Sequence, residues 1–148
     1  MTTGVFDILH LGHVHMLEEA RKHGDELVVV VARDETVRQR KHNPVNEEDV
    51  RVKLVAALKP VDKAVLGHRG DIFKIVEELR PDIICLGFDQ RFDAPKIEAE
   101  CLRRGVTVKV VRLHHHDEEL DGTRKIIQRI AERAANKDLY GAEEPVEK

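Results

Sequence analysis

Gly4-Val5-Phe6-Asp7-Ile8-Leu9-His10-Leu11-Gly12-His13 lies between a short strand and a helix, and that placement decides the fold. In an open parallel sheet, ligands bind outside the carboxyl ends of the strands, where one strand turns into the next helix. The string suits a polyphosphate. Gly4 lets the backbone come close to a ligand. Gly12 stands at the mouth of the following helix, whose free N–H groups and dipole favour anions. His10 and His13 are three apart, so both imidazoles can face one pocket at that terminus, each offering an N–H donor.

Outward from this turn the chain alternates strand and helix patterns. The β-branched runs are Leu27 to Ala32, Ala64 to Leu66, Asp82 to Leu86 and Val106 to Leu113. The second and fourth are nearly continuous in apolar residues, as strands buried on both faces require. Helical patterns cover Val14 to His23, Glu47 to Leu58, Ile72 to Leu79, Pro95 to Arg104 and Thr123 to Ala135, with Asn46 expected to cap the second. Only Met1, Thr2 and Thr3 precede Gly4, so the first strand is either a stub or begins upstream of Met1. The alternation predicts a Rossmann-like, doubly wound α/β fold with five parallel strands and right-handed crossovers. Residues 1–135 are expected to form one domain and 136–148 a polar tail.

The bulk composition narrows the function. A chain of 148 residues and 16.9 kDa has room for one core. Its net charge of -3 lacks the basic footprint of a nucleic-acid binder. No apolar run spans a membrane and no signal-peptide pattern is present. Cys85 and Cys101 form no CxxC pair, which fits buried free thiols in a reduced, cytoplasmic setting. The first turn has no GxGxxG, which argues against a dinucleotide-dependent dehydrogenase.

The ten-residue string resembles the HxGH motif of the nucleotidylyltransferase superfamily, which includes cytidylyltransferases, pantetheine-phosphate adenylyltransferase and archaeal FAD synthases. Gly24 to Val37 (GDELVVVVARDETV), Leu58 to Gly67 (LKPVDKAVLG) and Pro81 to Gln90 (PDIICLGFDQ) are similar to the archaeal FAD synthases in particular. The resemblance covers roughly residues 4 to 130 and implies the HxGH nucleotidylyltransferase fold. It implies direct in-line transfer: an acceptor phosphate attacks the α-phosphorus of ATP and pyrophosphate leaves. FMN is the acceptor it points to. Mg²⁺ or a similar divalent cation would be held mainly by the nucleotide. Relatives of this kind often form homodimers, and the resemblance extends that expectation here.

Residue by residue, the resemblance assigns His10 and His13 to catalysis at the triphosphate, with Leu11 and Gly12 beside them. It gives backbone contacts with the nucleotide to Val5 and Phe6, and a nucleoside contact to Asp89. The cytidylyltransferases carry a second phosphate motif, Arg-Thr-x-Gly-Ile-Ser-Thr-Thr, before the last helix. This chain departs from it with Leu120-Asp121-Gly122-Thr123-Arg124. Thr123 keeps one hydroxyl and Arg124 is the substitute for the lost contacts. For the acceptor the candidates are Arg40 and Arg51 as cations, with Phe88 and Phe92 as a platform for a flat ring. His114-His115-His116 reads as a solvated loop or pocket rim rather than a metal site, since consecutive residues point in different directions. No protein-held metal is expected. Two readings compete with FMN: glycerol-3-phosphate with CTP, or a sugar phosphate with ATP. A non-catalytic nucleotide sensor is the third, resting on the altered segment at Gly122 to Arg124.

Overall fold

The computed structural model describes residues 1–40, 42–117 and 119–139. The remaining tail and Lys41, one of the basic residues after the second strand, lie outside them. Five strands form one sheet: β1 (Thr2–Gly4), β2 (Val28–Val31), β3 (Lys63–Leu66), β4 (Ile83–Leu86) and β5 (Lys109–Arg112). Their spatial order is β3-β2-β1-β4-β5 and every pairing is parallel. The helices are α1 (Leu11–Arg21), α2 (Asp34–Arg40), α3 (Glu48–Ala56), α4 (Lys74–Leu79), α5 (Ala94–Arg103) and α6 (Thr123–Ala135). None of them is long and apolar enough to cross a membrane.

Alternation along the central strands divides the core. Val29 and Val31 of β2 and Cys85 of β4 join Leu17, Ala20 and Val55 on one face. Val30, Ile84 and Leu86 join Ile75, Val76 and Cys101 on the other. Successive side chains of a strand point to opposite faces, so the sheet is packed by α1 and α3 on one side and by α4 and α5 on the other. Each fully buried Val or Leu contributes about 1.5–3 kcal/mol relative to exposure.

β1 holds this sheet together. It is three residues long, yet it pairs with β2 through Thr2 and Val29 and with β4 through Thr2 and Cys85. The Thr2 hydroxyl, fully buried, donates to the Cys85 carbonyl at 2.8 Å.

Three expectations change. β3 and β5, expected to be buried on both faces, are the edges of the sheet; Lys63, Lys109 and Arg112 punctuate them with exposed charge. The strands buried on both faces are β2 and β4. Helix α2 has no counterpart in the sequence reading, being only seven residues long. Asn46 does not cap α3: Glu47 occupies that position without a side-chain bond, and the Asn46 amide nitrogen donates to the Asp7 carbonyl at 2.7 Å.

Candidate active site

The turn that carries His10 and His13 starts at the carboxyl end of β1. Phe6 takes a left-handed backbone conformation (φ 53°), rare for a bulky residue and held only where the surroundings fix it. Its ring is buried beneath the turn and lies 5.1 Å from the His13 ring. A Cβ on Gly4 would strike that ring at 2.8 Å. Gly4 therefore makes room for Phe6 from within the protein.

His10 and His13 come together as expected. Their rings stack at 3.7 Å between centroids, tilted by 24°. His10 is also the N-cap of α1: its Nδ1 accepts from the His13 backbone N–H at 3.3 Å. An accepting Nδ1 carries no proton in the neutral ring, so Nε2 is the N–H donor left for a ligand. His13 and Val14 N–H both turn back to the His10 carbonyl, so the Leu11 and Gly12 amides stand ahead of the first intrahelical bonds. The Leu11 side chain is exposed and leaves this terminus open.

The His10 pKa is lowered from 6.5, because burial outweighs the fields of Asp121 and Asp89, which raise it. A depressed folded-state pKa means that the unfolded chain takes up the proton first as pH falls. The resulting stability is complete above about pH 6.5 and declines below it as pH drops through the folded value. We expect the urea midpoint of the wild type to fall more between pH 7 and pH 5 than that of His10→Asn, which keeps a capping side chain but cannot titrate. Parallel pH profiles for the two proteins would place the titration elsewhere.

Arg51 anchors the turn from below. It is completely buried, donating from Nη1 to the Val5 carbonyl at 2.6 Å and from Nε to the Asn46 carbonyl at 2.9 Å. Nη2 donates to the Ala32 carbonyl at 2.8 Å and to Asp34 Oδ1 at 2.6 Å. This corrects its assignment to the acceptor: with its fork consumed by backbone and Asp34, it has no face turned to a ligand. Asp7, also buried, clamps the neighbouring loop by accepting the Val45 and Asn46 amides, each at 2.8 Å.

A second wall comes from the loop after β4. Gln90 bridges it to β1, accepting from the Gly87 amide at 3.1 Å and donating to the Thr3 carbonyl at 2.8 Å. Arg112 of β5 donates to the carbonyls of Gly87, Gln90 and Phe92 at 3.1, 2.7 and 2.7 Å. Asp89 and Phe88 are left exposed on this braced loop. The Phe88 ring is 51% accessible and lies 4.0 Å from the His115 ring. Phe92 is partly buried and packs against the core beneath, where it pins the loop.

The third wall is the start of α6. Gly122 is its N-cap, and the Thr123 hydroxyl points back to the Ile8 carbonyl at 3.4 Å. A Cβ on Gly12 would collide with the Asp121 carbonyl oxygen, so this glycine is what lets α1 and the approach to α6 meet. Two helix N-termini thus converge beside the paired histidines. Arg124 is exposed one residue further on. Arg40 sits exposed in the last turn of α2. The three consecutive histidines diverge as expected: His114 and His116 turn to Glu19, at 2.6 and 3.4 Å, and His115 to Asp121 at 3.2 Å.

Sequence reasoning gave no role to Asp7, Gln90, Arg112 or Asp121. Asp7 lay inside the decisive string, but nothing local shows that a carboxylate will bind amides 38 residues away. Gln90 and Arg112 act on backbone carbonyls, and such bonds leave no motif.

Comparison with known proteins agrees with this geometry. Residues 1–137 match the cytidylyltransferase-like family. The chain is 62% identical over 141 residues to the FAD synthase of Aciduliprofundum boonei, covering 95% of this chain and 93% of that protein. It is 50% identical over 132 residues to the FAD synthase of Thermoplasma volcanium, covering 89% and 93%. A crystal structure from Thermoplasma volcanium, titled a lipopolysaccharide core biosynthesis protein, superposes with a TM-score of 0.77 at 54% identity, over 79% of this chain and 96% of that one. A stacked histidine pair at the start of the first helix of a five-stranded parallel α/β fold and matches of this extent lead to one conclusion: the chain belongs to the cytidylyltransferase-like nucleotidylyltransferases, in the family of the archaeal FAD synthases.

Proposed function

We propose that this protein is a FAD synthase, joining ATP and FMN to give FAD and pyrophosphate. The reading is carried by the 62% identity to a FAD synthase over 95% of the chain. The FMN phosphate attacks the α-phosphorus in line, and the bond to the leaving pyrophosphate breaks without a covalent enzyme intermediate. The protein positions the two reactants and stabilises negative charge as it develops. His10 donates from Nε2 and His13 stands stacked beside it, with the Leu11 and Gly12 amides and the start of α6 completing an anion-binding concavity. Val5 and Phe6 border the nucleotide through their backbone, and Asp89 approaches its nucleoside. Phe88 supplies the apolar ring surface that a flavin needs. Mg²⁺ on the nucleotide would neutralise phosphate charge, and Asp121 and Asp89, whose fields act on His10, suit a cation near the phosphates. The free buried thiols fit a reaction in the cytoplasm.

The deciding experiment incubates the protein with Mg²⁺, ATP or CTP, and FMN, glycerol 3-phosphate or sugar 1-phosphates, and identifies products by mass. FAD from ATP and FMN is the expected outcome. A CDP-polyol or a nucleotide sugar without FAD rejects the proposed acceptor, and no pyrophosphate with any pair supports a sensor.

Thr123 and Arg124 are assigned to the leaving pyrophosphate, with Arg124 acting from an exposed position on the first turn of α6. Thr123→Ala and Arg124→Ala should each raise the KM for ATP about 5- to 30-fold, or roughly 1–2 kcal/mol per lost charge-assisted contact, and leave the KM for FMN unchanged. An effect confined to FMN would assign this helix to the other substrate.

A further inference from the structure

We propose that His115, Asp117 and Asp121 form a binding site for a divalent first-row transition-metal ion at the rim of the phosphate pocket. One ligand atom from each residue lies within 4.8 Å of the other two. Because His114 and His116 turn towards Glu19, the middle imidazole is the one that faces this cluster. Its Nε2 is 3.2 Å from Asp121 Oδ2, while Oδ1 of the same carboxylate contacts the Lys125 ammonium at 2.7 Å. Asp121 is the fixed member, with only 9% of its side chain exposed. His115 and Asp117 are exposed, so rotation of their side chains would bring them onto it. Bonds of about 2.0–2.2 Å place ligand atoms some 3–4 Å apart, so the required contraction is about an ångström.

An imidazole with two carboxylates suits Mn²⁺, Co²⁺ or Zn²⁺ better than the all-oxygen preference of Mg²⁺ or Ca²⁺, and three protein ligands leave positions for phosphate oxygens. The location gives the ion a task, on the reading that a nucleoside triphosphate binds at His10 and His13. The Asp121 carbonyl abuts Gly12, and the carboxylates of Asp121 and Asp89 act on His10. Acidic groups here would repel a polyphosphate; a bound dication reverses that and bridges the protein to the phosphates. This is distinct from a metal carried in by the nucleotide alone.

The test is titration of nucleotide-free protein with Mn²⁺ alone, following the free ion by electron paramagnetic resonance. Wild type should bind a single ion per chain, and His115→Ala and Asp117→Asn should each weaken it about 10-fold or more. His116→Ala should leave affinity as it was, since that ring lies on Glu19. Both weakening variants alter exposed side chains, and matching thermal melts would confirm that they fold. No retained Mn²⁺ in wild type, or unchanged affinity in both variants, overturns the site. A parallel Mg²⁺ assay for FAD from ATP and FMN separates the two readings. Mn²⁺ bound without FAD formation removes the proposed activity, and with it the bridging role, but keeps the metal site. FAD formation without bound Mn²⁺ does the reverse.

Discussion

His13→Ala should lower kcat about 100-fold or more, the scale of removing a donor aimed at developing negative charge. The ring stacks on His10 and belongs to the first turn of α1, next to the Leu11 and Gly12 amides in the chain. Folding should change little. His10→Ala should lose a comparable factor in kcat and in addition about 1 kcal/mol of stability, because its Nδ1 caps α1. That stability cost is a revision forced by the structure, since the motif alone suggests two side chains devoted to the ligand. Pre-steady-state FAD formation with saturating ATP and FMN measures the chemical step directly. Near-normal turnover in both single variants would remove these histidines from catalysis.

The largest effect on stability is expected at Arg51. Arg51→Met should destabilise the protein by about 3–5 kcal/mol, the cost of breaking a buried ion pair from one side. Asp34 would be left as a charge in the interior, and the carbonyls of Val5, Ala32 and Asn46 would each lose a donor. Lysine cannot substitute, since one ammonium does not reproduce a planar fork reaching four acceptors. Equilibrium urea unfolding gives the value, and adding Asp34→Asn to Arg51→Met should recover part of it. A loss below about 1 kcal/mol would mean that water replaces the guanidinium.

The contrast between these residues shows what the sequence made legible. The stacked histidines were readable because a helix start fixes their direction three residues apart. The last helix was readable too, and α6 spans Thr123–Ala135 as its pattern predicts. Arg51 was misread because charge was taken as exposure. Its helix turns the arginine inward and leaves Val50 46% and Leu54 43% exposed, reversing the usual pattern. One signal was present: Arg51 and Val55, four apart, share the buried stripe. β3 and β5 were misjudged because apolar content does not state which strands lie at the edges. Sheet order is a long-range property. Phe88 and Phe92 looked equivalent beside Asp89, yet the loop braced by Arg112 exposes one and leaves the other partly buried against the core.

The three residues of β1 also set an order in time. They pair with β2 nearby in sequence, but Thr2 meets Cys85 only across 83 positions. During synthesis at about 5–20 residues per second, the first strand waits roughly 4–17 s for its second neighbour to be made. Closing so long a loop carries its entropic cost before the contacts return anything. The β2–β3 and β4–β5 pairs, by contrast, join segments closer in sequence, and each can form before the seam between them closes. The turn at Gly4 to His13 hangs from the end of that seam, so residues made well before β4 are among the last to reach working geometry. Recovery of activity during refolding should therefore coincide with the slowest structural phase, with no active species ahead of it.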